Sequence, residues 1–204
     1  LECIEESLAM PGRQMPSPGT LMREAALELR AHHGAMAAGD TLMRQALAWH
    51  LERPAEERGN MILRRATARA LYDTGDWETA ADHFAALAGD EVAVADCGAV
   101  HHAQLQGHLD HGYLGVIAMR RGEHQEAQRI DAMLAAARGE YLFGSTHYWR
   151  AAMAALGGDA DAALRLLRRA FAEGMPYEPF IHADPHFDAL RGTPAFQALL
   201  TPRH

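Results

Sequence analysis

The sequence contains no lysine: its 19 basic residues are all arginine, against 27 Asp and Glu, for a formal net charge of −8. That balance argues against generic nucleic-acid binding, because such affinity comes from neutralising backbone phosphates with clustered cations. Arginine pairs at 64–65, 120–121 and 168–169 could make local anion patches, but charges at helical spacing ordinarily belong to solvated faces. Arginine without lysine, beside abundant alanine and glycine, points to a GC-rich, bacterial coding bias. Cysteine is equally sparse. Cys3 and Cys97 form no CxxC spacing, which excludes a disulfide framework and leaves two unpaired thiols as the expectation. Aromatic residues make up only 7% and β-branched residues are few, so helix is favoured over sheet. No apolar run approaches the ~18 residues of a membrane span, so no membrane insertion by this chain is expected. GxSxG, P-loop, GxGxxG and HExxH motifs are all missing. The chain begins with Leu1 rather than Met, so it reads as a processed or excised piece. An upstream signal or anchor stays open, with a cytoplasmic location expected and a periplasmic one the alternative.

What is present is an apolar share of 49% and a charged share of 23%, the balance of a folded globular chain. One device recurs along it: AGDT at 38–41, TGDW at 74–77, RGEH at 121–124 and GGDA at 157–160. Each sets a glycine where one helical pattern stops and an acid where the next begins. Glycine adopts the left-handed conformation that closes a helix, and an acid caps or electrostatically favours the next N-terminus. Gly39, Gly75, Gly122 and Gly158 lie 36, 47 and 36 residues apart. Ala80, Ala127 and Ala163 follow the last three at one offset, with Arg44 at that place in the first; Leu51, Leu87, Leu134 and Ala170 follow all four at another. A helix–turn–helix unit of roughly 34–36 residues is the signature of a helical solenoid. The long gap places an insertion at about 91–106. Helices are predicted over 20–38, 41–53, 59–74, 77–89, 107–121, 124–137, 145–157 and 160–173, with an extra helical segment over 92–106. The expected organisation is a linker at 1–19, four hairpins over 20–175 with that insertion, and a C-terminal cap at 176–204.

The second unit, RATARALYDTGDWETAADHFAAL, resembles a tetratricopeptide repeat: Ala68 before the bulky pair Leu71–Tyr72, then Gly75, Trp77, Ala80, Phe84 and Leu87. The third unit matches through Gly115, Gly122 and Ala127, although Asp131 stands where a bulky residue is usual. The fourth matches through Ala151, Gly158, Ala163, Leu167 and Ala170, and the first is degenerate. The tail FIHADPHFDALRGTPAFQALL resembles segments that close such arrays in bacterial multidomain proteins. The resemblance covers about residues 20–200 and implies an all-α, right-handed α-α superhelix with a C-terminal cap. In it Phe187, Leu190, Phe196, Leu199 and Leu200 would pack inward. The family is united by packing rather than chemistry.

Histidines are the one residue type that suggests chemistry. In HHAQLQGHLDHG (101–112), His101, Gln104, His108 and His111 would share an arc of about 80° on one helix. His101 and His108 are then roughly 10 Å apart along the axis, too far to share an ion bound at ~2 Å. Asp110 points away, and Gly107 could break the helix. A solvated or partner-facing surface is the expected reading. HADPHFD (182–188) gathers two histidines and two aspartates, yet Asp184–Pro185 reads as a helix start with aspartate as N-cap. Ser145–Thr146–His147 is likewise read as a helix start. The methionines and Trp49, Trp77 and Trp149 are expected as packing residues.

The expected function is a noncatalytic scaffold whose concave face, lined by the first helix of each hairpin, holds a protein or peptide partner. Asn60, Arg64, His111, His147 and Arg150 are the candidate partner-binding residues, since their side chains can hydrogen-bond a peptide backbone or carboxylate. No cofactor, metal or catalytic residue is expected, and a homo-oligomer is compatible with the pattern. An alternative keeps the fold as a regulatory or oligomerisation module of a larger bacterial signalling or transcription protein. A third, weaker reading is a histidine-dependent metalloenzyme.

Overall fold

The computed structural model describes residues 17–32, 34–90, 99–139, 142–176 and 180–201. Cys3, Cys97, most of the expected linker and the 91–98 part of the expected insertion lie outside these residues. Among the described residues the chain is all-helical, without a strand. In chain order the helices are α1 (Pro18–His32), α2 (Met36–Leu51), α3 (Ala55–Arg58), α4 (Met61–Thr74), α5 (Trp77–Asp90), α6 (Ala99–Arg121), α7 (His124–Ala136), α8 (Ser145–Leu156) and α9 (Ala160–Ala172). The tail adds α10 (Phe180–Ala183), a 3-10 turn at Pro185–Phe187, α11 (Asp188–Arg191) and α12 (Pro194–Leu200). Helices pack in pairs, α1 with α2, α4 with α5, α6 with α7 and α8 with α9. Each pair touches the next through α2 on α4, α5 on α6 and α7 on α8.

Of the three turns after the first unit, those at Gly75 and Gly158 follow the glycine–acid logic in full, while at Gly122 the acid Glu123 makes no capping hydrogen bond. Gly75 closes α4 at φ 89°, and Asp76 N–H donates back to Leu71 O at 3.0 Å. Asp76 then accepts from Thr79 N–H at 3.2 Å and so caps α5. Gly122 and Gly158 repeat the left-handed closure, and Asp159 caps α9 by accepting from Ala162 N–H at 2.9 Å. Ala80, Ala127 and Ala163 are buried in the helix contacts, and Phe84, Leu87, Leu134, Leu167 and Ala170 fill the shared core.

The first unit departs from the expectation. The chain turns at Gly34 (φ 61°), so the helix predicted over 20–38 is two helices, and Gly39 lies inside α2. A Cβ on Gly39 would sit 2.7 Å from Arg30 Cγ and 2.9 Å from Ala26 O, so this glycine serves close approach of α1 rather than a turn. The buried residues of α2 are accordingly Gly39, Met43, Ala46 and His50, while Leu51 is exposed. The end of the expected linker is also helical: Ser17 Oγ accepts from Thr20 N–H at 3.2 Å, and Pro18 opens α1. Helix α6 runs through Gly107 without a break, joining the described end of the expected insertion to the third unit.

The tail reaches beyond the end of the array. Phe187, Leu190, Phe196 and Leu200 are buried and Leu199 packs against the same core, so these five residues do pack inward. Yet α10 lies against α1, at the opposite end of the sequence, where Ala183 packs with Ala26, Leu27 and Met43.

Candidate functional site

The tail places its polar residues among the first helices of the pairs. Asp184 accepts from His186 N–H at 2.9 Å, forming the expected N-cap of the 3-10 turn. Its carboxylate also accepts a very short hydrogen bond from the Tyr148 hydroxyl on α8, and His186 Nδ1 lies 2.7 Å from Asp184 Oδ1. On α6, Arg120 Nε donates to the Tyr72 oxygen at 2.6 Å, and His186 Nε2 lies 3.0 Å from the same oxygen. The His186 ring also meets those of Tyr113 and Trp149, and Arg191 donates to Asp184 O at 2.9 Å. Nearby, Arg23 on α1 pairs with buried Asp73 on α4.

Electrostatics fix the protonation states. Burial opposes ionisation of Asp184, but His186 and the Tyr148 hydroxyl hold its carboxyl below the usual range. Burial raises the Tyr72 phenol despite the opposing Arg120 cation, and burial with the Asp184 charge raises that of Tyr148. Both tyrosines therefore remain donors at neutral pH. Acid, imidazole and phenol stand in a row, as a proton relay would need, but Asp184, His186, Tyr72 and Tyr148 are only 3–6% exposed. The contacts of this row join the tail to α4, α6 and α8.

A second region opens between the C-terminal ends of α7 and α9 and the start of α8. This cleft of about 640 Å³ is lined in part by Arg138, Phe143, His147, Arg150, Arg169 and Glu173. Phe143 is exposed on its rim in the left-handed region at φ 44°, followed by Gly144 at φ 72°. Two contacts, Arg150–Asp131 and His147–Glu173, join different elements around the cleft. Arg150 Nε donates to Asp131 at 2.9 Å, and Glu173 Oε1 accepts from Arg169 Nε at 2.9 Å while lying 3.2 Å from His147 Nε2. Asp131, the polar departure from the repeat pattern, is thus the partner of Arg150. Burial lowers the His147 pKa although Glu173 opposes it, and the hydrogen bond from Arg169 lowers that of Glu173.

Of the five residues picked from the sequence, only His147 and Arg150 share this cleft. Asn60 is the N-cap of α4, accepting from Ile62 N–H at 2.9 Å, and Arg64 follows one turn later, half-buried. His111 Nδ1 lies 2.8 Å from Gly107 O of its own helix. The Asp110 carboxylate is 1% exposed and pairs with Arg65 of α4 at 2.8 Å. Among the described residues no three His, Cys, Asp or Glu side chains are grouped as metal ligands; the side chains of His101, His102 and Gln104 lie outside them. Among the same residues no helix is long and apolar enough to cross a membrane. The residues that sequence reasoning missed are Tyr72, Tyr148 and Arg120. Their signal was faint, because Tyr72 was read as a packing residue and its partner His186 is 114 positions away. Comparison of the chain with protein-family models, with curated proteins and with solved structures gives no match.

Proposed function

We propose that this chain is a noncatalytic, tetratricopeptide-like scaffold that binds a protein or peptide partner. Paired helices closed by left-handed glycines, with small residues at the close contacts, support hairpins stacked into a right-handed superhelix. One observation carries the functional reading. The first helices of all four pairs, α1, α4, α6 and α8, surround a single short stretch of polypeptide, gripping it with tyrosine and aromatic contacts. A surface that orders one segment in this way has the chemistry to order another. The cleft beside α8, with half-buried His147 and Arg150 on its wall, extends the same scaffold with polar groups already paired to Glu173 and Asp131.

The test is affinity capture from the source organism with the immobilised protein, followed by competition with free wild type, Arg64→Ala and Arg150→Ala. The expected result is a specifically retained protein that wild type displaces and at least one variant displaces fivefold less well. Equal competition by both variants rejects the chosen residues, and no specific retention rejects the reading.

A further inference from the structure

The tail is more polar than the closing of a core requires. In the seven residues from Ile181 to Phe187, Asp184 and His186 are buried alongside Ile181, Ala183 and Phe187, and His182 is exposed. Burying a charged or polar group costs free energy unless partners meet it, and an apolar residue of similar size closes a core at less risk. Here the two buried polar residues, besides meeting each other, each reach a group on a different helix. Asp184 takes the Tyr148 hydroxyl on α8, and His186 takes the Tyr72 hydroxyl on α4, which Arg120 on α6 orients from behind. Ala183 seats in the small pocket of Ala26 and Leu27 on α1 and Met43 on α2. The segment adds no further hairpin. It consists of one helical turn and a 3-10 turn laid over four helices. It is joined to the array through Gly174, left-handed at φ 98°, and the exposed Pro176. Buried polar contacts of this kind discriminate between occupants, because a wrong one fails to meet the two tyrosine hydroxyls.

We infer that this face is a recognition surface for a short polypeptide segment carrying an acid and, two residues later, an imidazole, between small or apolar residues. The chain's own Ile181–Phe187 is its resident occupant. A partner segment of the same chemistry binds there by displacing the tail, so the tail sets a threshold that the partner must exceed. This rests on the reading of the chain as a peptide-binding scaffold and names both the segment class and the built-in competitor.

The experiment keeps the full chain. A protease recognition sequence is inserted after Pro176, the folded protein is nicked, and a fluorescent synthetic peptide of residues 177–204 is added. Intact protein should bind little of the peptide, whereas nicked protein should keep its helical circular dichroism and exchange its tail fragment for the peptide saturably. A peptide carrying Asp184→Ala and His186→Ala should bind at least tenfold more weakly, as should the unaltered peptide to nicked Tyr148→Phe protein. The inference is overturned if nicking melts the helices, because the tail is then integral core. It is equally overturned if the fragment fails to exchange over days, or if the altered peptide binds as tightly as the native one. Partner capture by unnicked protein is measured separately, so a failed exchange with capture retained removes this inference and leaves the scaffold reading standing.

Discussion

Two ionic arrangements in this protein are built from the same residue types but lie in opposite environments. The Asp184–His186 pair of the tail is 4–5% exposed and the Arg65–Asp110 pair between α4 and α6 is 1–9% exposed, so both lie in surroundings that water barely reaches. Around the cleft, Arg150–Asp131 is 22–40% exposed and His147–Glu173 is 12–40% exposed. In the first setting an unpaired group has nowhere to find water, and in the second it has. The first region therefore dictates the arrangement of the chain, while the second leaves side chains available to something else.

The largest effect should come from removing one partner of a buried pair. Asp184→Ala strips the Tyr148 hydroxyl and His186 of their acceptor, and a loss of about 3–5 kcal/mol is expected for such a change. Asp110→Ala, which removes the carboxylate that Arg65 pairs with, belongs in the same range. Urea unfolding followed by circular dichroism measures both. Losses under about 1 kcal/mol would erase the distinction between the regions. Burial raises the Asp110 pKa against the pull of Arg65, so desolvation consumes much of what that pair gains. Replacing both partners together with apolar residues should consequently cost less than removing the acid alone.

A packing substitution on the same face should come next. A Cβ at Gly112 would lie 2.1 Å from Trp149 Cδ2 on α8, so Gly112→Ala must push apart α6 and α8, the helices that carry Arg120 and Tyr148. Overpacking of this kind costs about 1–3 kcal/mol, and should appear as a lower urea midpoint and as changed near-ultraviolet dichroism of Trp149. Gly112 also shows where the sequence was silent. It carried no signal of its own inside HHAQLQGHLDHG, whereas Gly39, inside an apparently regular AGDT, was misread as a turn. Glycine closes helices and lets them approach, and spacing alone does not separate the two uses. Where an acid cap followed and an apolar helix resumed, as at Gly75 and Gly158, the turn was legible; where the neighbouring helix supplied the reason, it was not.

Acid should destabilise the fold first through His50 and, at lower pH, through Asp184. His50 on α2 is fully buried, and neither ring nitrogen has a hydrogen-bond partner among the described residues. Burial, then the cations of Arg23 and Arg53, lower its pKa. Between the ordinary value near 6.5 and that lower one, the unfolded chain binds the proton and the folded chain does not. Stability therefore falls as pH drops through this window. His50→Leu should flatten the decline in melting temperature between pH 7.5 and 5.5, and an unchanged slope would show that the ring is not the source. Asp184 has the opposite chemistry but the same sign at lower pH: its depressed carboxyl contributes fully above the usual carboxylate range and loses that contribution as it is protonated.

How the site was read follows from the same contrast. Asp184 and His186 stood out in HADPHFD, and the N-cap expected there is present, because capping is local and needs only neighbours in sequence. Their grip on Tyr148 and Tyr72 is a product of the tail folding back over the array, and no local pattern encodes that. Asp131 was visible as an exception to the repeat, and its reason, Arg150, lies 19 residues away on the next pair's first helix.

The smallest effect is expected at that last pair, and its smallness is informative. Arg150 and Asp131 hold two contacts at 2.9 and 3.3 Å, yet solvent reaches both side chains. A double-mutant cycle with Arg150→Ala and Asp131→Ala should give a coupling of about 0.2–1 kcal/mol, falling further as salt screens the charges. A residue whose removal barely alters folding while lowering partner competition, as proposed for Arg150, has its contact with the partner exposed rather than buried in the scaffold. A coupling above about 2 kcal/mol would place Arg150 with the buried residues. Any loss of binding in Arg150→Ala would then have to be explained by the fold before it could be credited to the surface.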